Sequence, residues 1–184
     1  MQHLESHQEL QNTTKIVVEQ FMLIKTRNEK VFFLKEETKI LLKKVEEMEI
    51  KHMFKLKHMV NKLNLSTYNV EAISNLIADE IFKAPLIGNQ TEVLTITWER
   101  IVSLCSFYSL LAIHCESKGI CSDQDVTKWL QNALIKHIKW MANEGGWKTF
   151  IETFSETDLE ANIFKVLGSI SIVLLILTFI MLNK

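Results

Sequence analysis

Residues 98–115, WERIVSLCSFYSLLAIHC, are apolar on nearly every side if they are wound as a helix. A helix that is hydrophobic all round either spans a membrane or lies at the centre of a helical bundle. The polar start Trp98-Glu99-Arg100, the serines Ser103, Ser106 and Ser109, and His114 favour the centre. A central helix needs amphipathic neighbours to cover it, and the rest of the chain supplies them. With only 5 Gly and 1 Pro, the composition suits long helices better than short strands joined by tight turns. The 184 residues suffice for one domain with a full core.

Apolar periodicity places the covering helices. Residues 12–27 carry a stripe through Ile16, Val17, Phe21 and Ile24, with Thr13 or Thr14 placed to cap it. Residues 35–63 form a long helix with Leu41, Val45, Met48 and His52 at helical spacing. A second row, Ile50, Met53 and Phe54, widens its apolar surface and predicts that it is sandwiched. Residues 70–82 put Ile73, Leu76, Ile77, Ile81 and Phe82 on one face. The lone proline and Gly88 then mark a loop over residues 84–96. After 98–115 comes a turn, ESKGICSD, in which Ser122 and Asp125 predict a capping box. A helix over 123–143 turns Trp129, Leu130, Ile135 and Ile138 inward, and Gly145-Gly146 stops it. A short amphipathic helix over 147–154 carries Trp147, Phe150, Ile151 and Phe154.

A second uncharged stretch ends the sequence. Residues 166–182, VLGSISIVLLILTFIML, extend upstream through Ile163 and Phe164, and Lys165 and Lys184 flank the run. About 20 apolar residues span a bilayer as a helix, and lysines at its ends can reach the two interfaces. We expect residues 163–182 to be a single-pass, C-terminal transmembrane tail anchor and residues 1–160 to form a cytosol-facing helical domain.

Several function classes are excluded or disfavoured. Lys plus Arg number 21 and Asp plus Glu 22, a balance that argues against nucleic acid as the main partner. No phosphate loop, nucleophile elbow or paired-carboxylate motif is present, so we expect no enzyme, no catalytic residue and no cofactor. Six histidines without coordinating neighbours predict no metal site. Cys105, Cys115 and Cys121 lack metal-ligand spacing and follow no signal peptide, so they read as reduced thiols.

Two motifs carry a resemblance. Thr97-Trp98-Glu99-Arg100-Ile101-Val102 is similar to the first homology motif of the B-cell lymphoma 2 (Bcl) family of apoptosis regulators, which usually reads Asn-Trp-Gly-Arg. Downstream, Trp140, Gly145, Gly146, Trp147 and Phe150 resemble the second motif. Residues 41–59 sit where the third motif belongs, with Leu41, Glu46, Glu47, Met48 and Leu56 in matching places, and Ile16-Val17-Val18 resemble the helix that bears the fourth. The resemblance covers residues 14–184. It implies an all-α, Bcl-like helical bundle around a central hydrophobic helix, followed by the membrane anchor.

The resemblance also implies a mechanism. Pro-survival members capture the amphipathic death-motif helix of a pro-apoptotic Bcl-family protein in an apolar groove. Here that groove would be lined by Met48, His52, Leu56, Ile77, Ile81, Val102 and Phe107, with Thr97, Glu99 and Arg100 at its edge. Arg100 would pair with the ligand's Asp through two parallel bonds, and Glu99, where the family has Gly, would compete for it. Where the third motif has a small residue and Asp, this chain has Val45 and Glu46. The added bulk weakens a reading in which this helix is itself a killer ligand. The implied role is therefore an anti-apoptotic regulator at the mitochondrial outer membrane, or at the endoplasmic reticulum, able to form homo- or heterodimers. Two alternatives stand: a pro-apoptotic pore former of the same fold, and a structural tail-anchored protein docking a membrane partner. A Lys-, Ile- and Asn-rich chain that drifts from the usual motif residues fits a viral homologue.

Overall fold

The computed structural model describes residues 6–83 and 96–156. These contain seven α-helices: α1 (His7–Arg27), α2 (Glu36–Lys62), α3 (Val70–Ile81), α4 (Trp98–Lys118), α5 (Asp123–Ile135), α6 (Ile138–Asn143) and α7 (Gly146–Glu156). The all-helical bundle expected from the apolar pattern is present. Residues 163–182 and the 84–95 connection lie outside the described residues. Among the described residues no helix is long and apolar enough to cross a membrane.

The apolar stretch that constrains the fold becomes α4, and it takes the centre. Every residue from Ile101 to Ala112 is buried, and α1, α2, α3 and α5 all pack against it. Two of its three buried serines bond to the preceding turn, as helical hydroxyls can, while Ser106 Oγ is buried with no hydrogen-bond partner among the described residues. Ser103 Oγ donates to the Glu99 carbonyl at 2.9 Å and Ser109 Oγ to the Ser106 carbonyl at 2.9 Å. Tyr108 buries its ring and donates its hydroxyl to the Ser74 carbonyl on α3 at 3.1 Å.

The helix ends where its sequence can end it. Gly119 adopts φ +64°, and the Ile120 N–H reaches back to the Cys115 carbonyl at 2.9 Å. That left-handed residue with a 6→1 bond is a Schellman stop, which favours glycine. The expected capping box follows at once: Ser122 Oγ accepts from the Asp125 N–H at 3.2 Å, and the Asp125 carboxylate accepts from the Ser122 N–H at 3.3 Å. The α4–α5 turn is thus determined locally.

Four expectations need correction. The first helix starts at His7, because Ser6 supplies the cap by accepting from the Glu9 N–H at 3.2 Å. Its inward stripe is Leu10, Thr14, Val17, Val18, Phe21 and Met22, while Ile16 is exposed. The helix expected over 123–143 is two helices. At the break His137 sets its ring edge-on to Phe82, centroids 4.4 Å apart, and the His137 N–H bonds to Leu134 in a tightened last turn. Finally, α2 is not sandwiched: Leu41, Val45, Met48 and Leu56 face the core, but Ile50 and Phe54 face solvent.

Candidate functional site

The residues that resemble the first motif form the start of α4, beside the end of α3. Thr97 caps α4, its Oγ1 accepting from the Arg100 N–H at 3.3 Å. Thr and Asn both serve as N-caps, so the replacement of Asn by Thr keeps the local function. Arg100 is buried, and its Nη1 donates to the carbonyls of Ile81 at 2.9 Å and Lys83 at 2.5 Å. Main-chain carbonyls at the C-terminal end of a helix carry partial negative charge, which suits a guanidinium. Burial holds the pKa of Arg100 below its ordinary value. The group nonetheless stays charged, as an arginine does under all ordinary conditions.

Both bonds use Nη1. Among the described residues Nε and Nη2 of Arg100 have no hydrogen-bond partner, and Glu99 forms no ion pair with it. The competition expected from Glu99 is therefore absent here; Glu99 engages Ser103 through its carbonyl instead. Half of the guanidinium fork is claimed by no carboxylate among the described residues.

The seven residues expected to line a groove come from three helices. Met48, His52 and Leu56 lie on α2, Ile77 and Ile81 on α3, and Val102 and Phe107 on α4. Both α2 and α3 pack on α4, while contacts between α2 and α3 are few. α4 is thus the neighbour that α2 and α3 share. Met48, Leu56, Ile77, Ile81, Val102 and Phe107 are all buried, at 3 % exposure or less, and His52 is half-buried. Burial, with the cations of Lys55 and Lys51, holds the His52 imidazole below its ordinary pKa, so it is neutral near pH 7. Among the described residues no cluster of His, Cys, Asp or Glu is arranged to hold a metal.

The residues that resemble the second motif meet those of the first in one aromatic cluster. Trp98 lies 5.0 Å from Trp140, 6.0 Å from Trp147 and 5.5 Å from Phe150, ring centroid to centroid. Trp147 meets Phe150 at 5.0 Å. Such edge-to-face and tilted pairs add about 0.5–1.5 kcal/mol beyond area burial. Gly145 and Gly146 take φ +86° and +67°, and a Cβ on Gly145 would collide with Thr149 Oγ1. The double glycine is thus the turn that swings Trp147 under α4. The Trp147 indole N–H donates to Thr14 Oγ1 on α1 at 3.0 Å. The second motif therefore acts as a brace for the helix that carries Arg100.

Two features of the site escaped sequence reading. Lys44, in a Lys/Glu block that resembles a solvated face, is buried, with its Nζ 3.0 Å from Glu47 Oε2 and 5.9 Å from the centre of the Phe154 ring on α7. Glu49 is also buried and accepts from Lys25 Nζ on α1 at 2.5 Å. Together they fasten α2 to α7 and α1, so its apolar ladder faces the chain's own core. The contacts that join helices have no local signal, because Phe154 and Lys25 lie on helices other than α2.

Comparison with known proteins supplies the family. The model of the Bcl-2 family, apoptosis regulator proteins, matches residues 41–147. No curated protein sequence matches the chain. Among solved structures, the zebra-fish pro-survival protein NRZ in its apo form superposes with a TM-score of 0.66 at 19% identity, covering 80% of this chain and 95% of that one. Chicken BOK superposes with a TM-score of 0.64 at 20% identity, covering 80% and 97%. At such identities these two establish the fold.

Proposed function

The chain belongs to the Bcl-2 family of apoptosis regulators, and from that premise we propose that it sequesters the death-motif helices of pro-apoptotic relatives. A crease opened between α2 and α3, over α4, takes the apolar side of the ligand helix. Arg100 takes its acidic residue. The observation that carries this reading is the half-used guanidinium at the α3–α4 corner: Nη1 is held by two carbonyls, and Nε and Nη2 have no partner among the described residues. A buried cation with open donors has a strong preference for a carboxylate over an apolar contact.

Entry of a ligand helix requires the crease to open, because its lining is already out of solvent. Met48 suits such a site, since its unbranched thioether side chain repacks against different shapes. The inward packing of Leu41, Val45 and Met48 supports a chain that receives a helix rather than one that offers α2 as a ligand. Residues 163–182, apolar and flanked by lysines, would hold the domain at the mitochondrial outer membrane, with the endoplasmic reticulum as the alternative site.

A second reading rests on a different observation. An α4 that is buried throughout its apolar length would suit a bilayer once released, which is the chemistry of a pore former. Titration with synthetic death-motif helices separates the two. Submicromolar binding that requires both Arg100 and the ligand's Asp, shown by non-additive losses on replacing each, supports sequestration. Failure of every such peptide to bind at micromolar concentration would sink it.

A further inference from the structure

The solvent face of α2 changes character halfway along. In the first half, Lys39 pairs with Glu36 at 3.0 Å, and Lys43 reaches Glu47 at 4.0 Å. From residue 50 to residue 70 the chain holds four lysines and no carboxylate. Of these, Lys55, Lys57 and Lys62 have no ion-pair partner among the described residues. On the same stretch Ile50 is 77% exposed and Phe54, one turn on, 84%. The His58 ring stacks on Phe54, with centroids 6.1 Å apart and planes 7° apart. Tyr68, just past the helix, is 98% exposed.

A single exposed apolar side chain is ordinary; an apolar row edged by unpaired cations is not. The helix cannot roll this row inward, because its opposite face already buries Leu56, Met59 and Val60. Around Ile50 and Phe54 the described lining residues all belong to α2 itself. An exposed helix face that carries an apolar row beside cations suits a lipid surface.

We propose that the C-terminal half of α2 lies in the plane of an anionic lipid surface, with Ile50 and Phe54 entering between headgroups and Lys55, Lys57 and Lys62 meeting the lipid charges. An amphipathic helix binds in this way through its apolar row and its cations together. Lysine stems extend along the apolar boundary while the ammonium stays at headgroup level. The contact uses the outer face of α2 and leaves its inner face to the core and the crease.

The test uses the full chain and measures partition onto phosphatidylcholine vesicles with and without phosphatidylserine. Any contribution common to both vesicles cancels in the ratio. The wild type is expected to prefer the anionic vesicles by tenfold or more, and the preference should shrink as salt rises. K55Q/K57Q/K62Q should abolish it, at about fivefold for each lysine. I50S/F54S should lower partition onto both vesicle types, while K39Q/K43Q, which removes lysines already paired within α2, should change nothing. Circular dichroism of each variant should match the wild type, since every substituted side chain is exposed. Equal partition of the wild type onto both vesicles would overturn the proposal, and so would a preference that survives the triple lysine change. Lysine-dependent binding of RNA or an acidic peptide without any lipid preference would likewise assign the face to another partner.

Discussion

The chain has two arginines, and the protein uses them in opposite ways. Arg27, at the end of α1, grips Asp123 at the start of α5 with a two-pronged contact, Nε to Oδ2 at 2.6 Å and Nη2 to Oδ1 at 2.7 Å, and Thr26 Oγ1 adds a third bond at 3.2 Å. Among the described residues Arg100, at the start of α4, meets only main-chain carbonyls. The first fork is saturated by a carboxylate of its own chain and joins two helices. The second is sunk deeper and has no carboxylate among the described residues. A fold that pairs one arginine fully, yet leaves the other half-used among the described residues, supports the proposal that the second is kept for a ligand.

The comparison yields graded consequences. The largest is expected from Arg100→Ala, which should weaken death-motif binding by about 2–5 kcal/mol, the usual cost of breaking a desolvated charge pair; Asp123→Asn should leave that affinity unchanged. Calorimetric titration of both variants against one peptide tests this, and equal losses would erase the distinction between the two sites.

Next in size is stability. Asp123→Asn should lower Tm by a few degrees, a modest effect because the Arg27 side chain is a third exposed and solvent screens such pairs. The hydrogen bonds from Arg27 hold the Asp123 carboxyl below its ordinary pKa. A group with a depressed folded-state pKa stabilises above its unfolded value, about 4, and that stabilisation is lost as pH falls through the folded value. The wild type should therefore lose more stability than Asp123→Asn on acidification below about pH 4, and Arg100→Ala should keep the acid sensitivity of the wild type. Thermal melts across that range decide it.

Arg100→Lys should cost about tenfold in peptide affinity, close to 1.4 kcal/mol, since an ammonium keeps the charge but loses the fork. A lysine variant that bound as well as the wild type would show that charge alone matters. The smallest effect belongs to Glu99→Gln, expected within about threefold, because the half-buried Glu99 makes no ion pair with Arg100 among the described residues. A tenfold gain would restore the competition that the sequence suggested.

What the sequence disclosed, and what it withheld, follows from the range of each interaction. Gly119, Ser122 and Asp125 act on neighbours within a few residues, and the turn they define was legible. The apolarity of residues 101–112, with the polar start of α4 and its serines, pointed to the centre of the bundle. Trp98, Trp140, Gly145, Gly146, Trp147 and Phe150 were recognisable as motifs, although only the structure reveals that they form one brace. The break at His137 was hidden, since neither Gly nor Pro marks it and its ring contact with Phe82 comes from another helix. The burial of Lys44 and Glu49 was hidden for the same reason. So was the exposure of Ile50 and Phe54, because periodicity tells which residues share a face but not which face finds a partner. Arg100 was legible as a candidate for carboxylate binding, but its partners Ile81 and Lys83 are carbonyls, which carry no sequence signature.

The most direct test of sequestration asks what the full chain does to mitochondria challenged with a death-motif peptide. Release of cytochrome c should be suppressed by the wild type in proportion to its amount and restored when Arg100→Ala replaces it. Release provoked by the chain itself, with no peptide present, would contradict the account and assign the protein to the pore-forming side of its family.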